Sequence, residues 1–508
     1  MKLPYLLPML MIGLTSMASA ATTYYVDDST GSDANPGTRM STPIKSLEKA
    51  NSIKLGPGDK LLFKAGSRYT GQLKPTGRGA KGRPILIGMY GCGDKPRFDG
   101  EGKVLDTVLI ENMEYVTIEN LEITNKGEKR REWQTGFKLS ARNCGTLHGI
   151  TVRDLHIHDV NGSLNKRKEG CGLFIQTSGE TKSRFDGLLV EKCRVISTDR
   201  NAICMRGGFC ARSRNWFPSL NVVIRHNVIE DCGGDGIKPW GCDGALVEHN
   251  VIRGARMRCT DLAAGIWPWS CDNTVIQFNE VSGCKGTKDG QGFDSDYNCR
   301  NTLIQYNYSH DNDGGFLLVC SPRPNKDRCG TTNSIIRYNV SYNDAQKTGA
   351  RIFHISGAGV KDTYIYNNVI YVKKRAGENQ MVLAGRWGGG WAKNTVFQNN
   401  IFFVEGTVSY KLGKEADEFK FDGNCYVGNH KGLPKDARAI NANPKFTELL
   451  NGKAEGFEVL KSLMLRAGSP CIGAAKAIPN NGGRDLFGNI VRSDGPTSIG
   501  VHEAPAFR

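Results

Sequence analysis

Seven segments of this chain repeat one short pattern, and that repeat decides most of what the chain can fold into. "NVVIRHNVIEDC", "ALVEHNVIRGA", "NTVIQFNEVSGC", "NTLIQYNYSHDN", "NSIIRYNVSYND", "DTYIYNNVIYV" and "NTVFQNNIFFV" each alternate apolar residues, place an asparagine, and resume the alternation. The asparagines are Asn227, Asn250, Asn279, Asn307, Asn339, Asn367 and Asn399, spaced 23 to 32 residues apart. Weaker copies centre on Asn120, Asp154 and Cys193, so the repeat runs over roughly 105–430. A strand of period two, a turn-forming residue and a second short strand describe one coil of a parallel β-solenoid. Each coil hides its open apolar edge against the next. An inward asparagine on every coil stacks amide on amide and satisfies its own polar atoms. Asn307 and Asn339 also fit the N-x-[ST] acceptor pattern, as does Asn161, but for the first two the ladder takes precedence. The units are too short for four-stranded propeller blades.

The ends differ from the repeat. Residues 1–20 read as an export signal: Lys2, an apolar run from Leu3 to Leu14, and the small residues Ala18-Ser19-Ala20. The run is too short to span a bilayer, so a secreted or periplasmic protein is expected. Residues 21–104 form an N-terminal cap and first strands, with a helix predicted over Ile44–Ile53. Residues 431–508 form the last coils and a C-terminal cap. Lys and Arg total 67 against 51 Asp and Glu, a net charge of +16. In an exported chain this favours an anionic glycan over nucleic acid. With no trimerising segment, a monomer is expected. Sixteen cysteines suit disulfides in that compartment. Cys242, Cys271, Cys299 and Cys320 end successive strands, close enough across coils for bridges or for a buried stack of free thiols.

After each asparagine-bearing strand comes another, often opened by glycine: "GFKLS", "GLFIQ", "AICMR", "GIKPW", "GIWPW", "GFDSD", "GFLLV", "ARIF". The residue after the glycine points inward, giving a stack of Phe137, Leu173, Ile203, Ile237, Ile266, Phe293 and Phe316. Alternation then sends two columns outward. One holds Lys138, Phe174, Cys204, Lys238, Trp267, Asp294, Leu317 and Arg351. The other holds Ser140, Gln176, Arg206, Trp240, Trp269, Asp296, Val319 and Phe353. Four adjacent coils thus show Arg206, Lys238, Trp240, Trp267, Trp269, Asp294 and Asp296 on one face. Outward tryptophans suit sugar rings, with Arg206, Arg351 and His310 as further substrate contacts.

Asp294 and Asp296 stand at i and i+2 on one face, with Cβ atoms roughly 6.5–7 Å apart. Such a pair suits glycosidic hydrolysis, one carboxyl as acid and the other as base. Asp313, Asp311, Asp235 and Asp261 lie on neighbouring turns and are alternative partners. The hydrolase reading needs no cofactor. The competing reaction is β-elimination at a uronic acid, with Lys238 as base and Ca²⁺ held by Asp289, Asp294 and Asp296. A non-catalytic glycan-binding solenoid is the third possibility.

The asparagine ladder, the opening "YYVDDSTGSDANPGT" and the tail "SPCIGA…DLFGN…IGVHE" resemble the pectate-lyase-like right-handed parallel β-helix superfamily. The resemblance implies a right-handed parallel β-helix with capped ends and action on polysaccharides. "DGQGFDSDYN" with "YNYSHDNDGGFLL" looks like segments of β-helical glycoside hydrolases. "DGQGFD" also resembles the "DDGWD" calcium segment of calcium-dependent pectate lyases, but Gly290 and Gln291 stand where that segment has other residues, which favours hydrolysis.

Overall fold

The computed structural model describes residues 20–450 and 455–504. The expected export signal falls on residues 1–20, of which 1–19 lie outside that range. The chain winds into a parallel β-helix whose coils each contribute a strand to up to three parallel sheets. The first sheet includes Val223–Arg225, Leu246–Glu248, Val275–Gln277 and Leu303–Gln305, paired in sequence order. The second takes the strands after the corner, among them Val228–Cys232, Val251–Arg253, Glu280–Ser282 and Tyr308–His310. The third carries the outward columns: Thr135–Arg142, Cys171–Ser178, Asn201–Arg206 and Ile237–Lys238, then Gln291–Ser295, Gly315–Cys320 and Arg351–Ser356. Ile266 bridges Ile237 to Phe293 and keeps this sheet continuous.

The corner between the first two sheets explains the repeat. One residue there adopts a left-handed backbone: His226, His249, Phe278, Tyr306, Tyr338, Asn367, Asn399. The next residue points inward and forms the ladder. Asn227, Asn250, Asn279, Asn307, Asn339, Asn368, Asn400 and Asn424 each donate Nδ2–H to the next amide oxygen at 2.9–3.0 Å until Asp436 closes the series. The ladder members in "YNNV" and "QNNI" are therefore Asn368 and Asn400, not Asn367 and Asn399. In each doublet the first asparagine takes the corner, whose positive φ it tolerates better than most residues. Asn120 and Asp154 are likewise corner residues (φ 57° and 50°), followed by buried Leu121 and Leu155. Cys193 does sit in the ladder, its N–H donating to Asn227 Oδ1 at 2.9 Å.

Phe137, Leu173, Ile203, Ile237, Ile266 and Phe293 are fully buried in one column, as alternation predicts. Beyond them the register departs from the expectation by one residue. Gln291 pairs with Gly315, so Phe293 pairs with Leu317 and Asp294 with Leu318. Phe316 fills the place of Gly292 and is also buried. Leu317, Val319 and Phe353 therefore face the core, while Leu318, His354, Cys320 and Ser356 continue the outward columns. The cause is the doubled glycine of "DGGF": Gly315, at φ 126°, has no room for a Cβ, which would lie 1.9 Å from Arg351 O.

The N-terminal helix spans Leu47–Asn51, shorter than predicted, and is capped by Ser46 accepting from Lys49 N–H. The C-terminal segment lies along the second sheet rather than only across the last coil. Leu460, Leu463, Leu465 and Cys471 pack on Tyr308, Tyr342, Tyr371 and Phe403. All sixteen cysteines are free thiols. Cys242, Cys271 and Cys299 form the buried stack, Cys242 N–H contacting Cys271 Sγ and Cys271 N–H contacting Cys299 Sγ, each at 3.4 Å, whereas Cys320 lies apart at the end of Gly315–Cys320 in the third sheet. No helix among the described residues is long and apolar enough to cross a membrane.

Candidate active site

Asp294 and Asp296 leave the coil outward yet are only 2% and 8% exposed. Loops from other coils close over them. Lys166 and Leu262 come from two such loops, Lys288 and Asp289 from the turn preceding the strand, and Trp387 from a hairpin three coils on. Together with Trp267, Tyr297, Leu318, Cys320, Arg351, His354 and Ser356 they enclose a cavity of about 270 Å³. Trp269 backs this wall, its ring centroid 4.3 Å from Tyr297 and 4.9 Å from Trp240.

Three carboxyls of unequal character meet in the cavity. Burial, then the charges of Asp289, Asp296 and Asp235, push Asp294 well above the carboxylate range. Its Oδ1 has no hydrogen-bond partner among the described residues, so this acid is held neutral. Asp296 is raised by burial to about 6, but Cys320 and the Tyr297 N–H stabilise its anion. The two contacts measure 3.1 and 2.6 Å, both on Oδ1. Burial lifts the Cys320 thiol, so it stays a donor. Asp289 is half-buried and raised to about 7 by burial and then by the charge of Asp296, with Lys166 opposing. Groups this close share their protons and titrate as a set. His354 is pushed down to about 4 by burial and Arg351, and is therefore a neutral imidazole.

Five of the residues singled out from the sequence line this cavity: Asp289, Asp294, Asp296, Trp267 and Arg351. Arg351 does so from the level of Gln291, because of the register shift. Lys238 does not line it. It is 1% exposed and lies between Glu169 (3.3 Å) and Asp235 (3.4 Å). Burial pulls its pKa down, but Cys204, Glu169 and Asp235 more than restore it, and the net shift is upward. A proton-accepting lysine needs the opposite shift, so Lys238 is corrected to a charge centre beneath the site. Asp235 ties that centre to the wall by accepting from Trp267 Nε1–H at 3.0 Å. Asp261 is engaged by Arg200.

Asp313 is also corrected. It is 5% exposed and accepts from Gly286 N–H at 2.9 Å, which anchors the turn bearing Asp289. His310 belongs to the second sheet. It joins Glu280 (3.1 Å) and Asp311 (3.0 Å), and Glu280 accepts from Gly456 N–H, so the group clasps the C-terminal segment. Arg206 lies over Trp240 and Trp133, outside the cavity. Residues 212–219 contribute nothing to the cavity lining; Arg212 pairs instead with Asp272 at 2.7 Å. Lys166, His354, Ser356 and Trp387 were not singled out beforehand. The only local signal was the glycine-tryptophan run "GRWGGGW".

The calcium reading fits poorly. Among the described residues the one set of three His, Cys, Asp or Glu ligand atoms lying within 4.8 Å of one another is Glu122, His156 and His158, on the second sheet. Asp289, Asp294 and Asp296 do not converge that far, and the neutral Asp294 is a weak ligand for a hard cation.

The right-handed β-helix region family model matches residues 138–329. Over 87% of its length the chain is 30% identical to a lacto-N-biosidase of Bifidobacterium longum subsp. longum, covering 33% of that protein. The chain thus spans about a third of the curated relative it matches. The crystal structure of a GH136 lacto-N-biosidase from Eubacterium ramulus superposes with a TM-score of 0.59 at 28% identity, covering 71% of this chain and 64% of that one. The complex of XylC with xylose superposes at 0.52 over 94% of this chain and 98% of the other, but at 12% identity it speaks for the fold alone.

Proposed function

From a chain that is a member of the right-handed parallel β-helix superfamily, we propose a glycoside hydrolase acting on an oligosaccharide or polysaccharide. The observation that carries the reading is the carboxyl set: three acids of graded proton affinity in one walled cavity on the outer face. Asp289 is the most exposed of the three and, with a pKa of about 7, still holds its proton near neutral pH. It is the general acid, donating that proton to the glycosidic oxygen as the C–O bond breaks. Asp296, at about 6, is ionised in the same range and fixed by its two donors. It meets the sugar's developing positive charge as base or nucleophile. Asp294 lies deepest; neutral, it adds no charge next to Asp296 and offers a hydrogen bond to a sugar hydroxyl. Splitting the acidities of neighbouring carboxyls by environment is how such sites assign acid and base. Trp267, Tyr297 and Trp387 supply faces for a ring.

Two relatives named as lacto-N-biosidases favour hydrolysis of a glycan. The cavity is small beside ligand pockets of ~300–1,000 Å³, which fits a short saccharide end better than mid-chain binding. Elimination loses its base with Lys238 and its metal with the divergent carboxyls, so no bound ion is assigned. Export follows from the leader-like residues 1–20.

The test is a panel of neutral and acidic glycans, reading reducing ends and ultraviolet absorbance together, with and without a chelator. New reducing ends, no absorbance and no chelator effect are expected. Absorbance rising in step with the ends would replace the hydrolase with a lyase.

A further inference from the structure

The hairpin that closes the cavity also borders a second depression, of about 660 Å³. Its lining includes Arg323, Arg386, Lys393, Lys414 and Trp391, with Glu415 as the one acid. Trp387, in the cavity wall, is 41% exposed. Its neighbours Arg386 and Gly389 face the shelf, so the two spaces meet at this indole. The hairpin is fixed. Trp387 and Gly390 pair across it, and the Ala358 N–H donates to Trp387 O at 3.0 Å. Gly388 sits so close to Pro322 that a Cβ would lie 2.5 Å from its Cα.

The charge pattern of the shelf differs from that of the cavity. None of its four cationic side chains forms an ion pair with a carboxylate among the described residues, and they share one depression with Trp391. Arg323 is held against the turn by a contact from Nη2 to Gly389 O at 3.4 Å. Trp391 is half-buried, with Gly413 packed on its ring. Four unpaired cations around one indole form a surface for a sugar ring that carries negative charge: the indole takes the ring face, and the cations take the anionic substituent.

We propose that this shelf binds an anionic sugar unit of the substrate, one bearing sulfate or carboxylate, while the bond to be cleaved lies in the cavity beyond Trp387. The proposal rests on the hydrolase reading and narrows it to charged glycans.

Binding is measured by titration calorimetry in the Asp296→Asn background, so that no probe is consumed. The probes are a sulfated heparin oligosaccharide, a carboxylated oligogalacturonate and a neutral xylo-oligosaccharide. At least one anionic probe is expected to bind about tenfold tighter than the neutral one, the sum of a few exposed charge contacts. The preference should fade in 1 M salt, where the screening length falls to about 3 Å. Arg386→Ala/Lys393→Ala/Lys414→Ala should remove it. Arg39→Ala/Lys45→Ala/Lys54→Ala, which takes the same charge from the exposed N-terminal end, should leave it intact. Which anionic probe binds identifies the substituent. Equal loss in both triple variants, or no anionic preference at all, overturns the proposal. Failure of the hydrolase reading shows separately, as wild-type protein that binds but releases no reducing ends.

Discussion

Asn307→Ala tests the ladder that sets the coil register. In the native chain Asn307 Nδ2 donates to Ile276 O, Gln305 O and Asn339 Oδ1 at 2.9, 2.9 and 3.0 Å. Its Oδ1 accepts from Asn279 N–H and Nδ2–H, both at 3.0 Å. Alanine removes all five bonds. Asn339 Oδ1 keeps the Asn307 backbone N–H, and Asn279 Nδ2 keeps two carbonyls. The Asn279 N–H and the Ile276 and Gln305 carbonyls lose these partners in a site closed to water. Each buried group left unsatisfied costs about 1–3 kcal/mol, and three groups near the lower end of that range give an expected loss of about 3–5 kcal/mol. A long array need not unfold in one step, so amide exchange is the assay. The Asn279 N–H and its coil neighbours should exchange roughly 10²–10³-fold faster, by the ~1.4 kcal/mol-per-decade rule. Asn301→Gly is the comparison. Asn301 makes a similar amide contact to Asn273 at 2.8 Å, but exposed, where water replaces it and the change should stay under about 1 kcal/mol. Equal effects at the two sites would refute the claim that buried amide satisfaction, rather than strand pairing, holds the register.

The remaining predictions concern charge. Asp289 and Asp296 have raised folded pKa values, so the stability they contribute is present below the unfolded value near 4 and is lost as pH rises through about 6–7. Asp289→Asn and Asp296→Asn should therefore raise the melting temperature at pH 8 and leave it unchanged at pH 4, while each lowers turnover on the order of 10²–10⁴-fold; a lower melting temperature at pH 8 would refute the assignment. Lys238→Met strands Glu169 and Asp235 and should cost about 3–5 kcal/mol in denaturant unfolding. A variant that stays fully stable yet loses turnover would return Lys238 to the chemistry. His310 is raised to about 9 by its two carboxylates, against burial, so its clasp is complete below about 6.5 and lost as pH rises through 9. Limited proteolysis should cut 455–504 faster at pH 10 than at pH 7, and His310→Ala should abolish the difference.

Much of the molecule is visible in the one-dimensional pattern. Period-two alternation broken every 23 to 32 residues by asparagine specifies coils, and it places Phe293 inward with Asp294 and Asp296 outward. These features follow from local geometry, which sequence spacing encodes directly. Doubled residues blur it: in "YNNV" and "DGGF" spacing alone does not say which asparagine turns the corner or which residue after the glycines enters the core. There the answer comes from pairing with the neighbouring coil.

The sequence by itself determined the solenoid, its amide ladder and the outward acid pair, because each is a repeat of short-range geometry. Only the tertiary structure decided that Lys238 is sealed beneath the site, that His310 clasps the C-terminal segment, and that Lys166, His354 and Trp387 join the three aspartates. Those residues are brought together by loops of unlike length from coils far apart in sequence. The acidity of the cavity depends on that closure, since burial is the first cause of all three raised carboxyls, and burial is a property of the assembled fold.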